Sequence, residues 1–354
     1  MNHRIHMAVI VAIAAISAVA SGDPINLVLV AGDVNAGPVG SVSSLNSPLD
    51  EFVISQPSVL LRSATNGVDD QSEWSQAAPS GDAFGVEMSL AHTLAASYPN
   101  NSFGIMRFSM STASLACDWH PAQCGAGAMQ SMLQRVALWR GELAAGGVES
   151  RVIGLVWIHG SADAGDEASA AMYGANLIEM LAAVRTEFAD SALPIVATLP
   201  QSGGAWLPVV RREIDEFARA DADAAVVTLD AFEISGDGIT LSDAATIAAG
   251  LSLGDVLLGR NPLDDAMPPE ECESDLVPDG VVDVVDLLYL VGWWGPCNNC
   301  RLDFDGDGII GVDDLLHMIS EWGQPSGDVT GDGLTNIDDM LAMLGGWGPC
   351  DTDG

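Results

Sequence analysis

Short apolar runs alternate with longer amphipathic stretches along the first three quarters of the chain. The first run, Leu27–Ala31, ends at turn-forming residues, a pattern typical of a strand buried on both faces. By the same reasoning we predict strands at 103–108, 152–158, 193–199 and 224–229, and helices at 88–97, 128–145, 168–188, 207–220 and from 243 onwards. Such alternation favours an α/β fold, a parallel sheet with helices on both faces.

Composition divides the chain into segments. Residues 1–20 have a short basic start, an apolar core and a small-residue cleavage site, which predicts a secretory signal peptide rather than an uncleaved anchor. Residues 23–261 hold the alternating elements, and residues 262–274, rich in Pro and acids, form a predicted linker before a repeat at 275–350. After signal cleavage we expect no membrane span, and a secreted or cell-surface protein.

Charge excludes two classes of partner. The formal net charge is −37, from 49 acids and 12 bases, and every base is Arg. Such a surface repels nucleic acid and anionic lipid. From Asp264 onwards there are 21 acids and one base, so the C-terminal quarter is a separate compositional unit.

The six cysteines fit an oxidising compartment. Cys117 and Cys124 lie seven residues apart around a Pro, which predicts a local disulfide. Four more lie in the acidic quarter: Cys272, Cys297, Cys300 and Cys350. The C-x-x-C spacing within this group also suits zinc or redox chemistry, but no second C-x-x-C or nearby His accompanies it, so disulfides are favoured. Their three pairings stay open.

The turn after the first strand is the place to look for a site. Open α/β sheets bind ligands at the carboxyl ends of their strands, and here that position holds Asp33-Val34-Asn35. Val34 cannot act as nucleophile, acid, base or metal ligand. An active site at this turn would therefore need other residues.

Five short segments carry a further pattern. They are Gly32-Asp33-Val34-Asn35, Phe84-Gly85-Val86-Glu87, Thr112-Ala113-Ser114-Leu115, Trp157-Ile158-His159-Gly160-Ser161-Ala162-Asp163-Ala164 and Asp237-Gly238-Ile239-Thr240-Leu241-Ser242. In this order and spacing they resemble the G-Q-S-N, F-G-P-E, G-G-T-S-L, W-x-Q-G-E-S-D-A and D-G-I-H-L-S motifs of the sialate O-acetylesterase-like carbohydrate acetylesterases. That family is a branch of the SGNH hydrolases. The resemblance covers about residues 25 to 260 and implies a flavodoxin-like sheet and a carbohydrate ligand.

The departures from that pattern fall on the chemical residues. The family implies a Ser nucleophile in the first motif and a His base in the last, and these positions hold Val34 and Thr240. The Asp beside the base is present as Asp237. Losing a triad member lowers the rate by about 10⁴- to 10⁶-fold, so the resemblance implies an impaired or inactive esterase. The candidate pocket residues are Asn35, Gly85, Trp157, Gly160, Ser161 and Asp163.

One alternative keeps catalysis. Asp33 and His159 stand where the family has Gln, and a carboxylate–imidazole pair performs general acid–base work in many enzymes. The protein would then be an active carbohydrate O-acetyl esterase with non-standard residues. A second alternative is a purely structural or assembly protein.

The C-terminal repeat contains calcium-loop spacing. In the clearest copy, acids at alternate positions wrap the ion, a Gly makes the turn, and the carbonyl of Ile309 is a ligand. The ligands of this copy are Asp303, Asp305, Asp307, Ile309 and Asp314. Those of a second copy are Asp328, Thr330, Asp332, Asn336 and Asp339, and a weaker copy precedes with Asp275, Asp279, Asp283 and Asp286.

Each loop is followed by an apolar helical stripe and a Trp, namely Trp294, Trp322 and Trp347. A Ca²⁺ loop with only an exiting helix resembles type I dockerin. That resemblance implies a small all-α module that binds Ca²⁺ and attaches to a cohesin-like or cell-surface protein. Three copies and the additional cysteines depart from the usual two-copy pattern.

Overall fold

The structure is a computed structural model that describes residues 24–45, 49–124, 127–230, 232–259, 295–296 and 309–321. The chain divides into two compact units, Met1–Ala266 and Met267–Gly354. The predicted signal peptide and linker, at 1–20 and 262–274, lie outside the described residues, as does most of the repeat region.

The first unit alternates strands and helices. Its strands are β1 (Ile25–Gly32), β2 (Gly40–Ser41), β3 (Gln56–Thr65), β4 (Val68–Asp69), β5 (Ser75–Ala77), β6 (Ala83–Phe84), β7 (Phe103–Ser109), β8 (Ser150–Ile158), β9 (Ile195–Leu199) and β10 (Ala224–Thr228). Its helices are α1 (Glu87–Ser97), α2 (Gly127–Ala145), α3 (Glu167–Glu187), α4 (Leu207–Ala220) and α5 (Asp243–Gly259). All five predicted helices and five predicted strands are confirmed, with ends shifted by a few residues.

The central sheet is mainly parallel, as the alternation predicted. Its strand order is β10-β9-β8-β1-β7-β3-β4, and β5 also pairs with β3. The six strands from β10 to β3 are parallel, whereas β4 and β5 run antiparallel to β3. All eight residues of β1 are buried, because the strand lies between β7 and β8 and under helices on both faces. Its carboxyl end therefore opens at the middle of the sheet edge.

Helices cover both faces of this sheet. On one face a continuous apolar core joins the sheet to α2, α3 and α4, with Trp119, Trp139 and Trp157 among its largest buried side chains. On the other face α1 packs closely against α5. A side chain at Gly250 would clash with Ser89 of α1 and with Val86, the residue before α1, and one at Gly254 would clash with Thr93 of α1. These two glycines therefore allow α5 to approach α1 closely.

The edge formed by β3, β4 and β5 was not among the predicted elements. β3 begins with Pro57 at its second position and carries the buried Arg62, so it lacks the clean apolar run that marks the other strands. Its partner β7 satisfies the ladder, and the charge of Arg62 is compensated by Glu142 of α2, 3.2 Å away. Among the described helices, none is long and apolar enough to cross a membrane.

The second unit is described only in part. β11 (Gly295–Pro296) pairs antiparallel with β12 (Ile309–Ile310), and α6 (Val312–Glu321) follows. Asp314 is buried and accepts a hydrogen bond from the N–H of Gly311 at 2.7 Å, which caps the first turn of α6.

Candidate functional site

The turn after β1 is tied to the neighbouring strand. The N–H of Asp33 donates to the carbonyl of Ile158, the last residue of β8, at 2.8 Å. Gly32 has φ +150°, and a Cβ there would overlap the same carbonyl, so only glycine fits this close approach. The Asp33 carboxylate then accepts from the N–H of Asn35 at 3.1 Å and caps a single 3-10 turn, Val34–Ala36.

Asn35 joins this turn to a loop about two hundred residues later. Its Nδ2 donates to the carbonyl of Ile239 at 3.2 Å, and its Oδ1 accepts from the N–H of Leu241 at 3.0 Å. Thr240 lies between these two contacts. The structure therefore joins the turn that carries Val34 to the loop that carries Thr240, two segments that lie in separate motifs of the sequence.

Asp237 organises the loop that carries Thr240. Its carboxylate accepts from the N–H groups of Ile239 and Thr240, each at 2.9 Å, and from the Thr240 hydroxyl at 2.8 Å. These hydrogen bonds hold the pKa of Asp237 below its ordinary value, so the carboxylate is ionised at neutral pH. The Thr240 hydroxyl donates to this carboxylate. Unlike histidine, the Thr240 side chain has no basic nitrogen that could take a proton from a nucleophile.

His159 lies deeper, in the core behind the site. Its side chain is fully buried and stacks on Trp157, with ring centroids 4.8 Å apart. Nε2 donates to the carbonyl of Ala113 at 2.8 Å, and Nδ1 is hydrogen-bonded to the hydroxyl of Tyr173 at 3.1 Å. Both ring nitrogens are thus bonded within the protein.

Asp163 fastens two loops of the site to each other. Its carboxylate, fully buried after β8, accepts from the N–H of Leu115 at 2.8 Å and the N–H of Ala116 at 3.0 Å, in the loop after β7. The predicted disulfide between Cys117 and Cys124 is present in that same loop. These contacts fix the loop that meets His159 through Ala113.

Asp33 is the second carboxylate beside the turn. It is 2% exposed, and burial raises its pKa above the ordinary value. The nearby charge of His159 and hydrogen bonds from Asn35 and Ser161 act in the opposite direction and are smaller. The acid–base pair of Asp33 and His159 stays a prediction. The imidazole would have to give up a bond to Ala113 or Tyr173 to act in it.

Gly85 and Glu87 support the turn from the other face of the sheet. Glu87 accepts from the N–H of Gly85 at 3.2 Å and lies 3.5 Å from Nε of Arg107. A side chain at Gly85 would overlap Glu87 and the carbonyl of Gly37, which ends the turn after β1. Sequence reasoning missed Arg107, although a single Arg inside the apolar run of β7 is a signal of a buried ion pair.

The remaining pocket candidates lie along the same edge. Gly160 has φ +136° at the end of β8, where a side chain would press on Pro200 and Val210. Ser161 follows it and is hydrogen-bonded to Asp33. Ser202, after β9, donates to the carbonyl of Ile239 at 3.1 Å, a contact that sequence reasoning did not predict.

The predicted calcium ligands fall mainly outside the described residues. Of them the structure describes only Ile309, in β12, and Asp314, in the first turn of α6. The calcium loops therefore stay a prediction. Within the described residues, no three His, Cys, Asp or Glu side chains are grouped to hold a metal.

The comparisons with known proteins concern the first unit. Residues 24–258 match the family described as carbohydrate esterase, sialic acid-specific acetylesterase. The chain belongs to this family. No curated protein sequence matches the chain.

Solved structures with a related fold include a protein from Arabidopsis thaliana, 20% identical with a TM-score of 0.54, covering 67% of this chain and 99% of that one. NanS is 14% identical with a TM-score of 0.50, covering 67% and 97%. A carbohydrate acetylesterase from Xanthomonas citri is 16% identical with a TM-score of 0.49, covering 66% and 57%. The first two likenesses show the fold of the first unit.

Proposed function

We propose that this protein binds O-acetylated carbohydrate at the carboxyl ends of β1, β8 and β9 and does not hydrolyse it through an acyl-enzyme. The observation that carries the proposal is the double hydrogen bond of Asn35 to Ile239 and Leu241. It supports a site whose framework is retained around Val34, which has no nucleophilic atom, and Thr240, which has no basic nitrogen. An acyl-enzyme route needs a nucleophile and a base in contact.

The side chains at this edge suit a sugar. Val34 is half-buried and offers an apolar contact to an acetyl methyl group, while Ser161, Ser202 and Thr240 offer hydroxyl groups. Ligand sites commonly combine an apolar surface with a few fixed polar groups. This combination supports binding and supplies no step that breaks the ester.

We assign the C-terminal repeat to attachment. Its predicted ligands are carboxylate, hydroxyl, amide and carbonyl oxygens, the donors that Ca²⁺ prefers, and Asp314 lies in the first turn of α6 as a twelfth loop residue does. The dockerin-like pattern supports a cohesin-like or cell-surface protein as partner. A location outside the cytoplasm agrees with the Cys117–Cys124 disulfide.

The test measures binding and turnover on the same full-length protein. Titration calorimetry with an O-acetylated oligosaccharide is expected to give saturable binding, and acetate release from the same ligand is expected to equal that of a protein-free control. The variant Asn35→Ala should weaken binding by about tenfold or more, because it removes two hydrogen bonds that hold the site together. Melting temperature checks that the variant is folded.

Two results would contradict the proposal. Acetate release that is lost in both Asp33→Ala and His159→Ala would show the active-esterase alternative to be correct. No binding to any acetylated glycan, together with Ca²⁺-dependent capture of a defined protein partner by the repeat, would favour the assembly alternative.

A further inference from the structure

The arginines near this site bear on whether its ligand is charged. A sialic acid carries a carboxylate, and proteins hold carboxylates with Arg or Lys through charge-assisted hydrogen bonds. The chain contains no Lys. A contact of this kind would therefore have to come from Arg.

Each Arg in the described part of the chain already has a partner. Near the amino ends of the strands lie the hydrogen bonds of Arg140, Arg151 and Arg185. Acids of α4 pair with Arg212 and Arg219. Two arginines are buried, Arg62 beside Glu142 and Arg107 beside Glu87 and Asp70. Two others reach the carboxyl edge of the sheet. Arg135 pairs with Asp69 at 2.8 Å, and Arg211 pairs with Asp230 and donates to the carbonyl of Pro200.

Among the described residues at this edge, the charged side chains that lack an Arg partner include several acids. Asp237 touches Thr240 directly, and its lowered pKa keeps it ionised. Ser41, which follows the same turn along the chain, is held by two more carboxylates: Asp243 accepts from its N–H, and Asp82 accepts from its hydroxyl at 2.6 Å. A second anion entering between these groups would be repelled.

The uncharged groups at the edge are sufficient for a neutral sugar. Gln201 donates through Nε2 to the carbonyl of Phe232 at 3.1 Å, and its buried Oε1 has no protein hydrogen-bond partner among the described residues. A hydroxyl is the donor that such an oxygen lacks. Ser161 and Ser202 lie on the neighbouring turns.

We infer that the strand-end site selects an uncharged O-acetylated saccharide and rejects O-acetylated sialate. The inference rests on the proposed function and adds the class of sugar to it. It separates this chain from the sialic acid specificity in the description of its family.

The experiment titrates the full-length protein with two probes, an O-acetylated manno-oligosaccharide and 9-O-acetyl-N-acetylneuraminic acid. We expect the neutral probe to bind at least about tenfold more tightly, with a smaller difference at high salt because salt screens the repulsion. Equal or tighter binding of the sialate would overturn the inference and leave the proposed function standing. Binding of neither probe would reject both.

A charge variant sharpens the test. Ile239 is 50% exposed, and its contacts to Asn35 and Ser202 are made by its carbonyl, so its side chain can be changed without removing them. Ile239→Arg should raise the affinity for the sialate by about tenfold or more, in the range of a charge-assisted hydrogen bond. Ile239→Gln is the uncharged control of similar length. Equal sialate affinity in the two variants would count against charge as the discriminating property.

Discussion

At the scale of single residues, the hydrogen bonds of Asn35 hold the turn after β1 against the loop around Thr240. We propose that Val34 and Thr240 stand at the family's nucleophile and base positions. Asn35 joins their two segments, and Asp237 orders the loop that carries Thr240. That assignment comes from the sequence, because the order of the motifs aligned those residues, and it stays a prediction. The sequence could not predict that Tyr173 would bond His159, since that contact depends on the placement of α3.

Restoring the two missing groups is the direct test of the retained framework. The double variant Val34→Ser with Thr240→His should raise acetyl-ester hydrolysis by at least about 10²-fold above the unmodified protein, because nucleophile and base act as a unit. Each single variant should remain at background. Release of p-nitrophenol from its acetate, with active-site titration of the new serine, measures the gain. Adding Asp237→Asn should reduce it, and an equal rate in the two-residue and three-residue variants would contradict the role given to Asp237.

The two site aspartates should affect stability in opposite directions with pH. Burial raises the folded-state pKa of Asp33 above 3.8, so the stability it contributes is present below that value and is lost as the pH rises through the raised pKa. Asp33→Asn imitates the protonated acid, and we expect a flatter profile above pH 4. The measurement is urea unfolding at a series of pH values.

Asp237→Asn is the matched comparison for that series. Hydrogen bonds lower the pKa of Asp237 below 3.8, so its contribution is present above that value and is lost as the pH falls through the lowered pKa. The variant should therefore lose stability at neutral pH and approach the unmodified protein in acid. The same pH dependence in both variants would contradict the assignment of the two carboxylates.

At the scale of elements, apolar periodicity predicted the helices and strands whose pattern lies in a single stretch of sequence. The five helices of the first unit and five strands, β1, β7, β8, β9 and β10, were predicted, because the apolar pattern of each is complete within its own stretch of sequence. β3 was missed since its burial depends on distant partners. Arg62 bonds Glu142 from α2 and the carbonyls of Gln71 and Ser72, and no window of the sequence shows these contacts.

Removal of this buried charge pair should be costly. Arg62 is 2% exposed, and Arg62→Ala would leave Glu142 and two carbonyl groups without their partner. We expect a loss of about 3–5 kcal/mol in the free energy of unfolding, measured by urea titration. Arg212→Ala, at a side chain 57% exposed beside Glu213, is the control and should change stability by less than about 0.5 kcal/mol. Similar losses in both variants would show that the β3 edge does not depend on Arg62.

At the scale of the whole molecule, acids and bases are distributed differently in the two parts of the sequence. In the first unit, acids lie in caps, in loops and in ion pairs with seven of the described arginines, whereas the acids from Asp264 onwards have a single base among them. Carboxylates placed so densely repel one another unless a cation lies between them. We therefore propose that the repeat region depends on Ca²⁺ and that the sheet does not.

Calorimetry of the full-length chain in Ca²⁺ and in EDTA tests this. Each site saturated at 100 times its dissociation constant should add about 2.7 kcal/mol to the stability of the repeat region, so chelation should move one transition to much lower temperature. The transition of the first unit should stay in place. Asp305→Ala, at a predicted ligand, should reproduce part of the EDTA effect, and Asp313→Ala, at a neighbouring exposed acid outside the predicted ligand set, should not. If the two variants melt alike, or if EDTA leaves both transitions unchanged, the acids of the repeat are not held by Ca²⁺, and attachment through a metal-folded module must be abandoned.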